Sequence, residues 1–328
     1  MISKKPNISV IIATRNRSEK LKQCIDSITN GTYNNYEIII VDQSDTPKTH
    51  KLVKKYHQKN KFIYIKLKKP GKAKALIVAF NKARGSIVSY TDDDCIAKKN
   101  WLWEINKYFQ THKECTGVFG KVLPFKPELH QTKICPATFI GKSEYTTSDR
   151  KTIHYLKLGQ GNNMSFRKII LSDLRVGPQK TWLGPGNFIM KGGEESEHIY
   201  RLLSLGYQLS FSPNIVVYHN KWLTAIEESL LQGGYTCGLM AFYIYYIFDD
   251  FFVMCFFVSS RIKERLAPNI KNVTKNILKL KFNKIASNKH EILTIGWQMV
   301  CVLVGLFIGL YHLLKDKILF NKSKFRST

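Results

Sequence analysis

Short apolar runs alternate with stretches of helical periodicity through the first hundred residues, and this alternation most restricts the fold. Ile8 to Ala13 (ISVIIA), Tyr36 to Asp42 (YEIIIVD), Phe62 to Leu67 and Ser86 to Thr91 (SIVSYT) have the length and composition of strands. Between them Ser18 to Asn30, with Ser18 as N-cap, Thr46 to Asn60 and Lys72 to Arg84 read as helices. Repeated βαβ units of this kind close into a largely parallel α/β sheet. Ligands of open α/β sheets sit beyond the carboxyl ends of the strands, the edge on which Asp42 and the triplet Asp92-Asp93-Asp94 fall.

Beyond Trp101 the pattern is less regular. A helix is expected to about Thr111, strand-like pieces from Gly117 to Leu123, and loops to about Lys157. GQGNNMSFRK (Gly159 to Lys168) leads into a further helix. The run Gly192 to His219 reads as an acidic helix start, a Leu-rich helix closed by Gly206, and a strand.

A chain of 328 residues accommodates an α/β catalytic domain of about 230 residues with an appendage, and the boundary is expected near residue 235, giving segments 1–235 and 236–328. In the second segment, Leu293 to Leu314 carries no charged side chain and is long enough to cross a bilayer. Gly238 to Ser259 is also apolar but holds Asp249 and Asp250 at its middle, each costing roughly 2.5–3.5 kcal/mol in a bilayer, so it is expected to lie in the interface. The basic loop 261–291 between them would stay on the cytoplasmic side.

Lys and Arg number 51 against 24 Asp and Glu, a net charge of +27, which favours phosphates or anionic lipid head groups as partners and equally suits a solvated basic surface. Seven scattered cysteines without a C-x-x-C pair argue against a disulfide framework or a zinc site and suit a reducing compartment. Met1 to Asn7 run straight into the first strand without a signal-peptide pattern, so the catalytic part is expected in the cytoplasm.

Three adjacent carboxylates at a strand end repel unless a cation or solvent neutralises them. Hard oxygen ligands suit Mg2+ or Mn2+, which keep waters and substrate phosphates in their shell. Strand alternation places Asp92 and Asp94 on one side and Asp93 on the other. An acidic turn capping the next helix accounts for the same residues.

The order of ISVIIATRNR, EIIIVDQSD, GKAKAL, ARGSIVSYTDDDC, GNNMSFR and GGEESEHIYRLLSLGYQLSFSPNIVVYH resembles the family 2 inverting glycosyltransferases of the GT-A fold, over about residues 7 to 220. That resemblance implies a Rossmann-like, mixed but mostly parallel sheet flanked by helices, to which the apolar runs beyond residue 236 add C-terminal membrane-associated helices. Thr14, Arg15 and Asp42 would hold the nucleoside of a nucleotide-diphosphate-sugar donor with a UDP, GDP or dTDP head. The D-x-D acids fall on Asp92 and Asp94, with Asp94 the direct metal ligand, Asp92 nearer the ribose, and Asp93 beside them in the donor site. Lys72 of GKAKAL would approach the diphosphate; the usual Asn of that element is Ile77 here, and Lys72 or Lys74 also suits an ordinary surface position. In GGEESE, Glu195, or Glu194 in its place, would be the catalytic base; both equally suit the first turn of a helix. His219 would join the metal shell, although a strand-end histidine also serves packing. Gly161, Asn162 and Asn163 resemble an acceptor-side loop, or a tight turn.

The acceptor would be a lipid-linked or other glycan at a membrane. Two other classes stay open: a nucleotidyltransferase, which needs a Gly-rich loop that ATRNRSEK lacks, and a non-catalytic basic scaffold, which leaves the strand-end acids unexplained. Nucleic acid is not an expected partner.

Overall fold

The protein is represented by a computed structural model that describes residues 5–56, 61–155, 158–187, 189–265 and 289–324. It divides into two compact units, residues 1–181 with 198–223 and residues 182–197 with 224–328. The boundary expected at residue 235 falls inside a helix, and the units part at Leu223 and Thr224 instead.

The first unit holds the sheet. Strands β1 (Ile8–Thr14), β2 (Tyr36–Asp42), β3 (Phe62–Lys66) and β4 (Ile87–Asp92) run parallel, as the βαβ pattern requires. Among the described residues nine strands pair in the order β3-β2-β1-β4-β8-β6-β9-β5, with β7 (Tyr145–Thr147) also on β9. The additional strands are β5 (Cys95–Ala97), β6 (Gly117–Pro124), β8 (Asn163–Arg167) and β9 (Leu209–His219). Helices α1 (Ser18–Thr29), α2 (Lys48–Lys54), α3 (Lys72–Lys82) and α4 (Trp101–Thr111) link and flank the sheet. The apolar stripe Leu21, Cys24, Ile25 and Ile28 of α1 packs into one core with Val10, Ile38 and Ile40 of the sheet.

Several local expectations are corrected. Arg17, not Ser18, is the N-cap residue of α1, and no side chain caps it. Helix α2 is shorter than the periodicity suggests, and residues 57–60 of that stretch lie outside the described residues. NMSFR is a strand, antiparallel to β4 and β6, and only a four-residue helix, α5 (Lys168–Leu171), follows it. Asn163 at its start is buried and structural. Its Oδ1 accepts from Trp101 Nε1 at 2.9 Å, and its Nδ2 donates to the carbonyls of Lys121 and Ile215 at 2.9 and 3.0 Å.

The second unit carries the helices α7 (Ala225–Tyr245), α8 (Phe251–Arg265) and α9 (Lys289–Lys324). Helix α6 (Glu194–Ser204) begins in this unit and continues in the first. A capping box starts α7: the Thr224 hydroxyl accepts from Glu227 N–H, and the Glu227 carboxylate accepts from Thr224 N–H. The single interfacial helix expected over 238–259 is two helices. The break falls at residues 246–250, where Asp250 N–H donates to the Tyr246 carbonyl and Met254 N–H donates to that of Asp250. Asp favours such helix ends over interiors, so Asp249 and Asp250 mark the break.

Helix α9 runs parallel to α7: Ser229 bonds Thr294, Thr236 bonds Gln298 and Tyr245 bonds Asp316, in the same order along both helices. Gly305 and Gly309 lie against the Cys237 and Ala241 carbonyls, where any Cβ would collide. Its outer side exposes Leu303, Phe307, Leu310 and Leu314. The segment Leu293–Lys317, with mean hydropathy 2.1 over its most apolar 18 residues, is long and apolar enough to cross a membrane. Residues 266–288, most of the expected basic loop, lie outside the described residues.

Candidate active site

The carboxyl ends of β1, β2, β4 and β9 deliver most of the expected residues to one edge of the sheet. After β1 the chain turns at Asn16, which takes the left-handed conformation (φ 57°) that Asn tolerates better than most residues. Its amide fastens this turn to the one after β2, donating to Asp45 Oδ2 at 2.8 Å and accepting from Asp45 N–H at 2.9 Å. Arg15 consequently lies exposed, 3.4 Å from Asp45.

Asp42 is wholly buried. Its Oδ1 accepts from Ser44 N–H at 2.8 Å, and its Oδ2 accepts from Tyr64 at 2.7 Å and lies 3.3 Å from Lys66 Nζ. The next residue, Gln43, donates to the carbonyls of Lys69 and Gly71, which ties the end of β2 to the start of α3. Gly71, at φ 147°, makes the turn into that helix, and Lys72 in its first turn reaches Asp92 Oδ1 at 3.1 Å.

The triplet does not alternate. Strand β4 ends at Asp92, and Asp93 and Asp94 form the turn into β5, so both face the Arg17 guanidinium. Its Nη2 is 2.9 Å from Asp93 Oδ1 and its Nη1 2.6 Å from Asp94 Oδ2. A planar fork suits two neighbouring carboxylates in a way a lysine would not. Asp93 is turned inward with no exposed surface and accepts from the Thr14 hydroxyl at 2.6 Å, so Thr14 and Asp93 brace the turn. Burial pushes the Asp93 carboxyl up to about 7, with Arg17 opposing and Asp94 adding to the rise. In Asp94 burial acts in the same sense, but His219 and Arg17 outweigh it and hold the carboxyl well below the usual range.

His219 ends β9 directly opposite Cys95 in the antiparallel β5/β9 pair. Its Nδ1 bonds the Pro136 carbonyl at 2.7 Å, which leaves Nε2 facing Asp94 Oδ1 at 3.3 Å. Burial opposes the imidazolium charge, yet Asp94, helped by Cys135, pushes the group up to about 10. Asp94, Cys95 and His219, all buried, bring one donor atom each to within 4.8 Å of one another. A carboxylate, an imidazole and a nearby second acid are a donor set that fits a divalent ion.

Glu194 and Glu195 belong to the second unit, in the first turn of α6. Gly193 precedes them at φ 105°. Glu194 is buried with its carboxylate against Gly184, while Glu195 is half-buried. Glu197 accepts from the Tyr246 hydroxyl at 2.6 Å.

Arg17 escaped the sequence reading, although three adjacent acids call for a counter-charge and TRNR offers a second arginine two residues beyond Arg15. Cys95 escaped it as well, because a cysteine after an acidic run carries no spacing signal.

The mixed, mostly parallel sheet flanked by helices is of the GT-A type. The chain belongs to glycosyl transferase family 2, whose sequence profile matches residues 9–174. An uncharacterized glycosyltransferase of Methanocaldococcus jannaschii is 35% identical over 143 residues, covering 39% of this chain and 49% of the relative. This chain therefore spans about half the length of that relative. A dolichyl N-acetyl-alpha-D-glucosaminyl phosphate 3-beta-D-2,3-diacetamido-2,3-dideoxy-beta-D-glucuronosyltransferase of Methanococcus voltae is 26% identical over 249 residues, covering 71% of this chain and 73% of the relative. Among solved structures, a mannosyltransferase of Pyrobaculum calidifontis in complex with GDP-Man and Mn2+ superposes with a TM-score of 0.60 at 16% identity, over 96% of this chain and 89% of that one. At that identity the likeness shows the fold.

Proposed function

We propose that the enzyme transfers a sugar, with inversion, from a UDP-, GDP- or dTDP-sugar onto the hydroxyl of a lipid-linked or cell-surface glycan acceptor. The observation that carries this reading is the meeting of Asp94, His219, Asp92 and Lys72 at the carboxyl edge of the sheet. Asp94 and His219 would hold Mg2+ or Mn2+ with Asp92 beside them, and the ion would offset the charge that develops on the leaving diphosphate.

Lys72 would exchange Asp92 for a phosphate oxygen, bringing a point charge to the donor. Arg15 and Asp42 would face the nucleoside. For Asp42 this requires Lys66 or Tyr64 to yield its place to a ribose hydroxyl or base N–H. Thr14 and Asp93 would act one step back, fixing the turn that carries Asp94. Glu195 would accept the proton of the acceptor hydroxyl as that oxygen attacks the anomeric carbon opposite the diphosphate. A single displacement of this kind inverts the anomeric centre.

Turnover tests the reading. With Mn2+ and a glycan or polyprenyl-phosphate-linked acceptor, one of the three nucleotide-sugar classes should release its nucleoside diphosphate. Release of pyrophosphate from a nucleoside triphosphate and a sugar 1-phosphate would instead indicate a nucleotidyltransferase. Should neither reaction occur while the basic chain still adheres to vesicles, the non-catalytic scaffold becomes the better account.

Residues beyond Thr224 would hold the enzyme at a membrane, with α9 crossing it and the catalytic part on the cytoplasmic side. The name of the Methanococcus voltae relative, a dolichyl-linked saccharide transferase, is consistent with such a place of work. The full-length chain should resist extraction by alkaline carbonate and high salt and be released by detergent. A chain that fractionates as a soluble monomer without detergent would mean that the outer face of α9 is covered by protein.

A further inference from the structure

We propose that Cys95 is a third ligand of the divalent site, beside Asp94 and His219, so that of the two ions named above Mn2+ is held over Mg2+, and the thiol-tolerant Co2+ and Zn2+ more tightly still. The inference rests on reading Asp94 and His219 as metal donors, and it adds the sulfur and the selectivity that follows from it.

The two strands of the β5/β9 pair supply the geometry. Cys95 and His219 are directly opposed residues, so their side chains leave the sheet on the same face. The neighbouring Asp94 completes a buried set whose donor atoms lie within 4.8 Å of one another. Ligands bound at about 2.0–2.3 Å to one ion sit roughly 3–4 Å apart, so closing this set needs adjustments of about an ångström.

The surroundings already orient two of the donors. Arg17 engages Asp94 Oδ2 at 2.6 Å, which directs the other oxygen toward His219. The Pro136 carbonyl holds His219 Nδ1 at 2.7 Å, the outer-shell contact that fixes the tautomer of a metal-binding imidazole and presents Nε2. Of the other thiols nearby, Cys24 donates to the Asp92 carbonyl at 3.5 Å and Cys135 to that of His219 at 3.3 Å, while Cys95 lies in the apolar core with Cys24.

Ion preference follows from the donor atoms. Mg2+ demands near-octahedral oxygen coordination and gives up its waters reluctantly, whereas an imidazole and a thiolate raise affinity along the series from Mn2+ to Co2+ and Zn2+. Binding would release the Cys95 thiol proton and the His219 Nε2 proton to solvent as the metal–sulfur and metal–nitrogen bonds form. A buried cysteine otherwise behaves as a small apolar side chain, and that role predicts no metal signature.

Co2+ titration of the purified full-length protein, stripped of metal and held in detergent, decides between these roles. The wild type should develop a thiolate-to-cobalt charge-transfer band. Cys95→Ser should lose the band and bind Co2+ at least about 10-fold more weakly, with Mg2+ affinity unchanged, while Cys135→Ser should keep the band. Cys95→Ala, which keeps the position apolar and adds no buried hydroxyl, repeats the test if the serine variant fails to fold. Co2+ bound without the band, or an equal band in wild type and both Cys95 variants, would overturn the proposal; if Asp94→Asn then abolishes Co2+ binding, the metal reading of Asp94 survives. A wild type that binds no Co2+ would overturn both.

Discussion

Replacing Glu195 by glutamine should lower kcat by roughly 10²–10⁴-fold while leaving donor affinity nearly unchanged. The substitution preserves size and hydrogen-bonding reach at the half-buried start of α6 but removes the ability to accept a proton. A loss confined to kcat is what a base acting on the acceptor hydroxyl predicts, because the donor binds before that proton moves. Glu194 provides the internal control. It is buried with its carboxylate against Gly184, so Glu194→Gln should disturb packing and the helix start more than chemistry. A larger kcat loss in Glu194→Gln would transfer the role to that residue. Weakened donor binding without slower turnover would remove the pair from catalysis.

The parallel half of the sheet was legible because β1, β2 and β4 are apolar runs of ordinary strand length, each followed by turn or helix signals. Strand β8 was not. NMSFR carries polar residues at a central position because Asn163 knits β8 to Trp101, to β6 and, beyond it, to β9, and Ser165 bonds Ser89 on β4. Those partners lie 42 to 76 residues away, beyond any local pattern.

The edge that carries the acids was readable for the same reason as the strands, since the carboxyl end of each run marks it. The orientation of the triplet was not, because alternation holds only while the chain stays extended and the strand stops at Asp92. Arg17 then decides the arrangement by gathering Asp93 and Asp94 on one guanidinium. Beyond Thr224, apolarity marked α9, but the parallel α7/α9 pairing depends on glycine contacts that composition does not announce.

Asp94→Asn should abolish metal-dependent donor binding and lower turnover by at least about 10²-fold. The amide nearly keeps the shape but removes the charge that would recruit the ion. It also leaves His219 and one arm of Arg17 with less compensation, so a stability loss of roughly 1–3 kcal/mol is expected; Arg17 still holds Asp93, which limits it. That loss is smaller than the stability of a typical domain, so the variant should remain folded and its binding measurable.

Calorimetric titration of UDP-, GDP- and dTDP-sugars into the wild type in Mn2+, the wild type in EDTA, and Asp94→Asn in Mn2+ tests the account most directly. One donor class should bind the wild type in Mn2+, with affinity falling at least about 10-fold in EDTA and in the variant. Equal affinity in EDTA, unchanged affinity in Asp94→Asn, or binding of none of the three donors would contradict it.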